Sequence, residues 1–340
     1  MEENASTEVY QYPNNSNASG PMNMHTMHIH FIDIYVIPVF SLLGCVLNVV
    51  TAVCLSKQPF NSCSSSVYLR AYSICSALAW LFLVGLVPWI IDLTGSRYIQ
   101  LISDSSCRIW LFVEKVVMNS PFWFIAGSTL DRLVALWCPQ RTQSMCSVFM
   151  AKAMIALILV VVVAVGVHVM WTAYLHSGEC VRFNVEVYNQ RVGMYILTGV
   201  LCYLPLVCVF IFGNLLIVRL CLKHRGTVIQ NANNIDYDMN CIVAINALVV
   251  FMSAAPFYIL TIISIVVPEP IMLIQIFIYF GLLCYFPLFP TMFLKCKEFR
   301  DVLLQLIKQT TSCLRRSNSS IELRLMNGEY NSVPSTSTSV

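Results

Sequence analysis

The sequence predicts an all-α membrane protein: a seven-transmembrane helix bundle with a short amphipathic helix after the seventh span. Three observations carry that prediction. The 340-residue chain is 58% hydrophobic and 11% charged, with a mean hydropathy of +0.72, whereas soluble domains run near a quarter charged. Seven apolar runs are each long enough to cross a hydrocarbon core, which takes roughly 20 helical residues. The 20 Lys and Arg are also unevenly placed: 15 fall on one side of the spans, four on the other, and Lys115 lies within a span. Basic residues collect on the cytoplasmic side, so this bias sets the N-terminus outside and the C-terminus inside.

Residues 1–31 are polar and carry no Lys or Arg. They read as a disordered extracellular tail without the basic n-region of a signal peptide, leaving the first span to act as insertion signal. Asn4, Asn14 and Asn17 each open an Asn-x-Ser sequon there and are glycosylation candidates. A Met/His patch (Met22 to His30) precedes the first span, but scattered histidines in a flexible tail do not predict a metal site. The spans then run at about 32–55, 67–91, 108–136, 149–175, 192–222, 240–267 and 271–294, making 32–294 the bundle. After it, Phe299, Val302, Leu303 and Leu306 recur at helical spacing among charges, so 295–313 reads as an amphipathic inner-leaflet helix in contact with membrane lipid. Residues 314–340 are Ser/Thr-rich and read as a disordered cytoplasmic tail.

Composition also narrows function. A net charge of +3 argues against a nucleic-acid partner. The chain has no zinc-ligand spacing, P-loop or Gly-rich nucleotide fingerprint, so no cofactor is expected. No nucleophile–base pair supports an enzyme. Of 15 cysteines, thirteen fall within spans or on the cytoplasmic side, where thiols stay reduced. Only Cys107 and Cys180 lie outside, and a disulfide between them is expected. Past Cys180, Val181, Phe183, Val185 and Val187 alternate with polar residues, which predicts a short β-hairpin standing over the bundle mouth.

Asp131-Arg132 closes the third span 25 residues after Cys107, one membrane crossing at about 1.5 Å per residue. Charges at a membrane boundary are costly and usually functional. Glu114 and Lys115 lie about two turns below Cys107, and adjacent helical residues point about 100° apart, so the two cannot share one lipid-free direction without cost. An anchor for a ligand's opposite charge and a structural ion pair both fit them.

The chain resembles the class A, rhodopsin-like G-protein-coupled receptors over residues 32–310. Its stretches Val67-Tyr-Leu-Arg-Ala71 and Asn119-Ser-Pro-Phe-Trp-Phe124 are similar to the invertebrate neuropeptide (FMRFamide-receptor-like) branch. Asn48 occupies the family's helix-packing asparagine, and Cys107 with Cys180 the family disulfide. Asp131-Arg132-Leu133 fills the Asp-Arg-Tyr slot, with Pro139 following in the second cytoplasmic loop. Pro205, Pro256 and Pro290 match the hinge prolines of the fifth, sixth and seventh spans, where a missing N–H breaks the helical ladder.

Other family positions are altered. The helix 2 aspartate is Ser76, the helix 4 tryptophan is Leu159 and the helix 5 tyrosine is Gly213. The helix 6 Cys-Trp-x-Pro reads Ser253-Ala254-Ala255-Pro256, and the helix 7 motif reads Phe289-Pro-Thr-Met-Phe293. The polar network that links pocket to G-protein site in the family is therefore expected to be largely lost, and a bound sodium is not expected, because Ser76 brings no charge.

What the resemblance implies is a plasma-membrane receptor carrying an extracellular ligand's signal, a short peptide's, to a heterotrimeric G protein. Asp131 and Arg132 would form the inactive-state latch, with Asp236, 20 residues before Pro256, as the acid at the foot of the sixth span; a snorkelling boundary pair without a switch is the plainer alternative. Glu114, Lys115, Met118, Phe257, Tyr258, Gln275 and Tyr279 would line the ligand pocket, with Phe122, Trp123 and Tyr285 nearby. Cys296 and Cys313 are palmitoylation candidates or plain thiols. The tail serines and threonines would recruit arrestin when phosphorylated, and Thr338-Ser339-Val340 is similar to a C-terminal motif for a PDZ-type scaffold. Two other classes fit the sequence: a non-signalling seven-span binder (a decoy or heterodimer partner), favoured by Ser76, Ala254 and Phe289, and a transporter or channel.

Overall fold

The computed structural model describes residues 35–84, 89–91, 101–176, 179–181, 199–226, 234–263 and 280–326. Among them, five helices are long and apolar enough to cross a membrane. The sequons, Gln275, Tyr279, residues 182–190 and the C-terminal motif lie outside the described residues.

Helix α1 spans Ile37–Cys54 and starts with Pro38 in its first turn, where the ring replaces an N–H that has no helical partner. Its polarity is inverted relative to a soluble helix. Ser41, Gly44, Asn48 and Thr51 are buried, while Leu42, Leu43, Val46, Val49 and Val53 are exposed. Small and polar residues let helices approach closely and bond, and the aliphatics suit lipid. Helix α2 (Ser64–Leu78) continues into a π-helical stretch, Ala79–Val84. There the Trp80 ring lies so close to α1 that a Cβ on Gly44 would stand 2.6 Å from it.

Helix α3, Asp104–Trp137, is the longest described span at 34 residues, about 51 Å at ~1.5 Å per residue. Ser103 caps it, its hydroxyl accepting from Ser106 N at 3.1 Å. It packs against α2 along a seam where a Cβ on Gly127 would lie 2.9 Å from the Tyr68 ring. Pro121 sits inside α3 and leaves the Val117 carbonyl without its helical donor. Just before that gap, Asn119 donates to Lys115 O at 2.6 Å and Ser120 to Val116 O at 2.6 Å. Among the described helices, Pro121 and Pro256 of the sixth span are the prolines set in a helix interior.

Helix α4, Val148–Gly166, buries only Ala151, Val162 and Gly166, so its valine-rich faces meet lipid. A short turn, Val169–Thr172, leads to strand β1 (Tyr174–His176), antiparallel to β2 (Glu179–Val181) with Leu175 opposite Cys180. This described hairpin begins in residues assigned to the fourth span and includes Cys180 in its second strand; Phe183, Val185 and Val187 of the alternating stretch lie outside the described residues.

A π-helical turn, Gly199–Tyr203, opens onto α5 (Leu204–Gly226), with Pro205 in its first turn. Helix α6, Asn234–Ile263, holds Pro256 in its interior. It starts six residues before the predicted 240, because the polar stretch Asn234–Met239 extends the helix beyond its apolar run. The 3-10 turn Leu283–Tyr285 precedes α7, Leu288–Lys295. Pro290 lies in the first turn of α7, where its missing N–H costs no helical bond, so it marks a helix start more than a mid-helix hinge.

Helix α8 runs from Lys297 to Met326, thirteen residues past the predicted end at 313. The Ser/Thr content of 314–326 suggested a tail, yet the helix propagates through it. Phe299 anchors α8 beneath the bundle, its ring 6.4 Å from Phe60 and 5.8 Å from Phe289. Arg300 Nη1 donates to Phe293 O at 2.8 Å and Leu294 O at 3.3 Å, satisfying carbonyls at the C-terminus of α7.

Candidate functional site

The C-terminal end of α3 holds a buried charged cluster. Asp131 and Arg132 are 9% and 6% exposed, little enough that their charges must be compensated in place. Arg132 donates to Asp131 Oδ2 through Nε at 3.0 Å and Nη2 at 2.8 Å. Ser64, at the start of α2, completes the arrangement: its hydroxyl donates to Asp131 Oδ2 at 2.8 Å and accepts from Arg132 Nη2 at 2.8 Å. The Cys146 thiol donates to Asp131 O at 3.3 Å, and burial, with the Asp131 charge adding to it, pushes that thiol up to about 11.

Asp236, at the foot of α6, reaches Arg132 Nη1 at 4.0 Å but is 63% exposed. The inner contacts are thus short and dry, while the outer acid is long and wet. Leu133 packs against the main core, and Pro139 is exposed at the start of the 3-10 turn Pro139–Arg141. Nearby, the Arg219 guanidinium of α5 stacks over the Trp137 ring at 5.9 Å, tying α5 to the same end of α3.

At the opposite end of α3, Cys107 and Cys180 form a disulfide with Cα atoms 5.6 Å apart. A second mooring stands beside it. Asp104 accepts from Leu175 N at 2.8 Å and pairs with Arg108 at 2.7 Å, while Arg108 donates to Met170 O at 3.3 Å. Composition pointed to the cysteines; the Asp104/Arg108 pair, at i and i+4 in the first turns of α3, was readable as a helix pair but not as a clamp on the hairpin.

Between these ends lies an aromatic group. Tyr258 packs edge-on against Phe122 at 6.0 Å, Tyr203 at 5.7 Å and Phe257 at 5.1 Å. Phe122 and Tyr285 are buried in the packing beneath it. Glu114, Lys115, Met118 and Trp123 are half-buried along α3. The Tyr285 hydroxyl donates to Met118 O at 2.7 Å, spending the handle that ligand contact would need.

Around the 3-10 turn the structure contains a network of neutral polar contacts. The Asn48 amide of α1 donates to Tyr285 O at 2.9 Å, and the Tyr72 hydroxyl of α2 donates to Cys284 O. Asn246 of α6 donates to Thr291 Oγ1 at 2.8 Å, and Cys202, in the π-helical turn before α5, donates to Asn119 Oδ1 of α3 at 2.9 Å. With the Tyr285–Met118 bond, the 3-10 turn and the start of α7 are held from α1, α2, α3 and α6, many of these contacts ending on main-chain carbonyls. Gly213 brings α5 against α6, where its Cβ would meet Ala247 at 3.2 Å.

Cys296 is wholly buried between α7 and α8, which removes it from the acylation candidates; the Cys313 side chain lies outside the described set. No protein-family model matches the chain, and no curated protein matches it.

Proposed function

We propose that this chain is a rhodopsin-like seven-span receptor of the plasma membrane, N-terminus outside, that passes an extracellular peptide's signal to a heterotrimeric G protein. The observation that carries this reading is the buried Ser64–Asp131–Arg132 cluster at one end of α3, set against a disulfide-tethered hairpin at the other. An Arg fork held by a carboxylate and a hydroxyl is a two-state element. Release of Arg132 exposes a cation to a cytoplasmic partner, and any ligand that favours the released state drives that exposure.

Pro139 and the foot of α6 beside Asp236 complete the coupling face. The aromatic group around Tyr258, with Glu114 and Lys115 above it on α3, forms the ligand side. By the resemblance, Gln275 and Tyr279 are assigned to that side as well. A phosphorylated C-terminal tail would take arrestin, and its last residues a PDZ-type scaffold.

The test is a peptide-library screen on the full chain in lipid nanodiscs, read as nucleotide exchange on a promiscuous G protein. Ligand-dependent exchange that is lost on Arg132→Ala supports receptor function. Ala254 and Phe289, which replace polar or bulky switch residues of the resembled family, favour a second reading as a non-signalling binder. Saturable peptide binding with no exchange on any G protein would decide for it.

A further inference from the structure

We propose that the outer side of α5 around Asn214 docks a second copy of this chain, two α5 helices pairing about a two-fold axis along the membrane normal. Val207, Ile211, Asn214, Val218 and Cys221 are all exposed. Their spacing of four, three, four and three is the heptad seam along which two helices interlock at a shallow left-handed crossing. The inner side of α5 is a different set: Leu206, Val209, Gly213 and Leu216 are buried in the bundle.

An exposed aliphatic seam is ordinary where lipid is the solvent, but an exposed asparagine in its middle is not. Asn214 lies fifteen residues from Gly199 and eight from Leu222, the ends of the span, which is about 22 Å and about 12 Å along the helix. In a hydrocarbon core about 30 Å thick, that is near the middle. Its Nδ2 donates to Phe210 O at 2.7 Å, which uses one of the two amide hydrogens. Among the described residues, neither the second hydrogen nor Oδ1 has a partner. An unsatisfied amide in hydrocarbon is costly.

Depth decides what covers it. The hydroxyls and ester carbonyls of lipids lie in the interfacial layers outside the hydrocarbon core, so a lipid has nothing to offer the amide where it sits. A second copy inserted in the same direction carries its own Asn214 at the same depth, and a two-fold axis sets the two side chains face to face. Each amide keeps Phe210 O with one hydrogen and donates the other to Oδ1 of the opposite copy, closing two bonds across the seam. A single asparagine in an apolar heptad seam also fixes the register of the pair. Arg219, next to Val218, is drawn aside to the Trp137 ring, which keeps the like charges of the two copies off the seam. The pairing rests on α5 spanning a membrane and not on the ligand or G-protein reading.

The test uses the full chain, labelled with donor or acceptor fluorophores and reconstituted in phosphatidylcholine liposomes over a range of protein-to-lipid ratios, with association read by energy transfer. Asn214→Leu is expected to weaken association by about tenfold, the effect of two interhelical hydrogen bonds in a membrane. Asn214→Gln keeps donor and acceptor and is expected to stay nearer wild type than Asn214→Leu. A bismaleimide reagent is expected to join two otherwise unaltered copies, and Cys221→Ser to abolish that covalent dimer. The cross-link needs no change at Asn214, so the seam is still tested should Asn214→Leu fail to fold. A chain that is monomeric at every density overturns the proposal, as does a covalent dimer that is absent or indifferent to Cys221→Ser. Association of Asn214→Leu within about twofold of wild type overturns it as well.

Discussion

The two polar assemblies of this molecule are built on opposite terms. At the C-terminal end of α3, side chain meets side chain: Asp131, Arg132 and Ser64 satisfy one another, and each depends on the others' identity. Around the 3-10 turn and α7, side chains mostly meet backbone: Asn48, Tyr72 and Tyr285 donate to carbonyls of Tyr285, Cys284 and Met118. Charge makes the first cluster strong but conditional, since a lost partner strands a buried ion. Neutral donors on carbonyls make the second tolerant, since the acceptor survives any substitution at its own position. A switch suits the first arrangement and a fixed frame suits the second.

The largest effect expected follows from stranding the ion. Asp131→Ala leaves Arg132 buried without its carboxylate and should cost about 3–5 kcal/mol, read as unfolding in nanodiscs, with a rise in basal nucleotide exchange. A loss under about 1 kcal/mol would erase the contrast between the two assemblies.

Next comes the frame. Tyr285→Phe leaves the Met118 carbonyl without this donor and should cost about 1–3 kcal/mol, without raising basal exchange. A rise matching that of Asp131→Ala would make the frame part of the switch. Ser64→Ala falls in the same range of stability but, unlike Tyr285→Phe, should raise basal exchange.

Asp236→Ala should be mildest in stability, below about 1 kcal/mol, because a long and exposed ion pair gains little. Its basal exchange should rise less than that of Ser64→Ala. The reverse order would move the latch from α2 to α6.

A chemical probe refines the boundary of the cluster. With its thiol pushed up to about 11, Cys146 is about one part in a thousand thiolate at pH 8. Alkylation there should lag behind exposed Cys138 and accelerate as pH climbs towards 11. Comparable rates at pH 8 would show that the loop opens and leaves Asp131.

Much of the helical framework was readable because it depends on composition: long apolar runs, and Asp131-Arg132 one helix length from Cys107. What escaped depends on partners distant in sequence. Ser64 is one of five consecutive small polar residues, Ser62 to Ser66, and nothing local sets it apart. Tyr72 and Tyr285 sit in apolar runs where an aromatic usually means packing, so their hydroxyl contacts surface only when α2, α3 and α7 are assembled. Asn246 and Thr291 are single polar residues 45 positions apart. The period-two pattern after Cys180 lies, beyond Val181, outside the described residues, and the pairing of β2 with Tyr174–His176 is one that no local alternation sets apart. Residues 314–326 misled in the other direction, since composition weighs content and helix propagation weighs context.

The bond from the Tyr285 hydroxyl to the carbonyl of Met118 has a consequence for descent. Position 118 packs its side chain against the core and gives its carbonyl to the frame, so the two roles are carried by atoms that mutate independently. A lineage of such proteins is free to exchange residue 118 for another side chain that fills the same space while the tyrosine continues to grip the same oxygen. Packing along α3 can then drift without renegotiating how the helices are held.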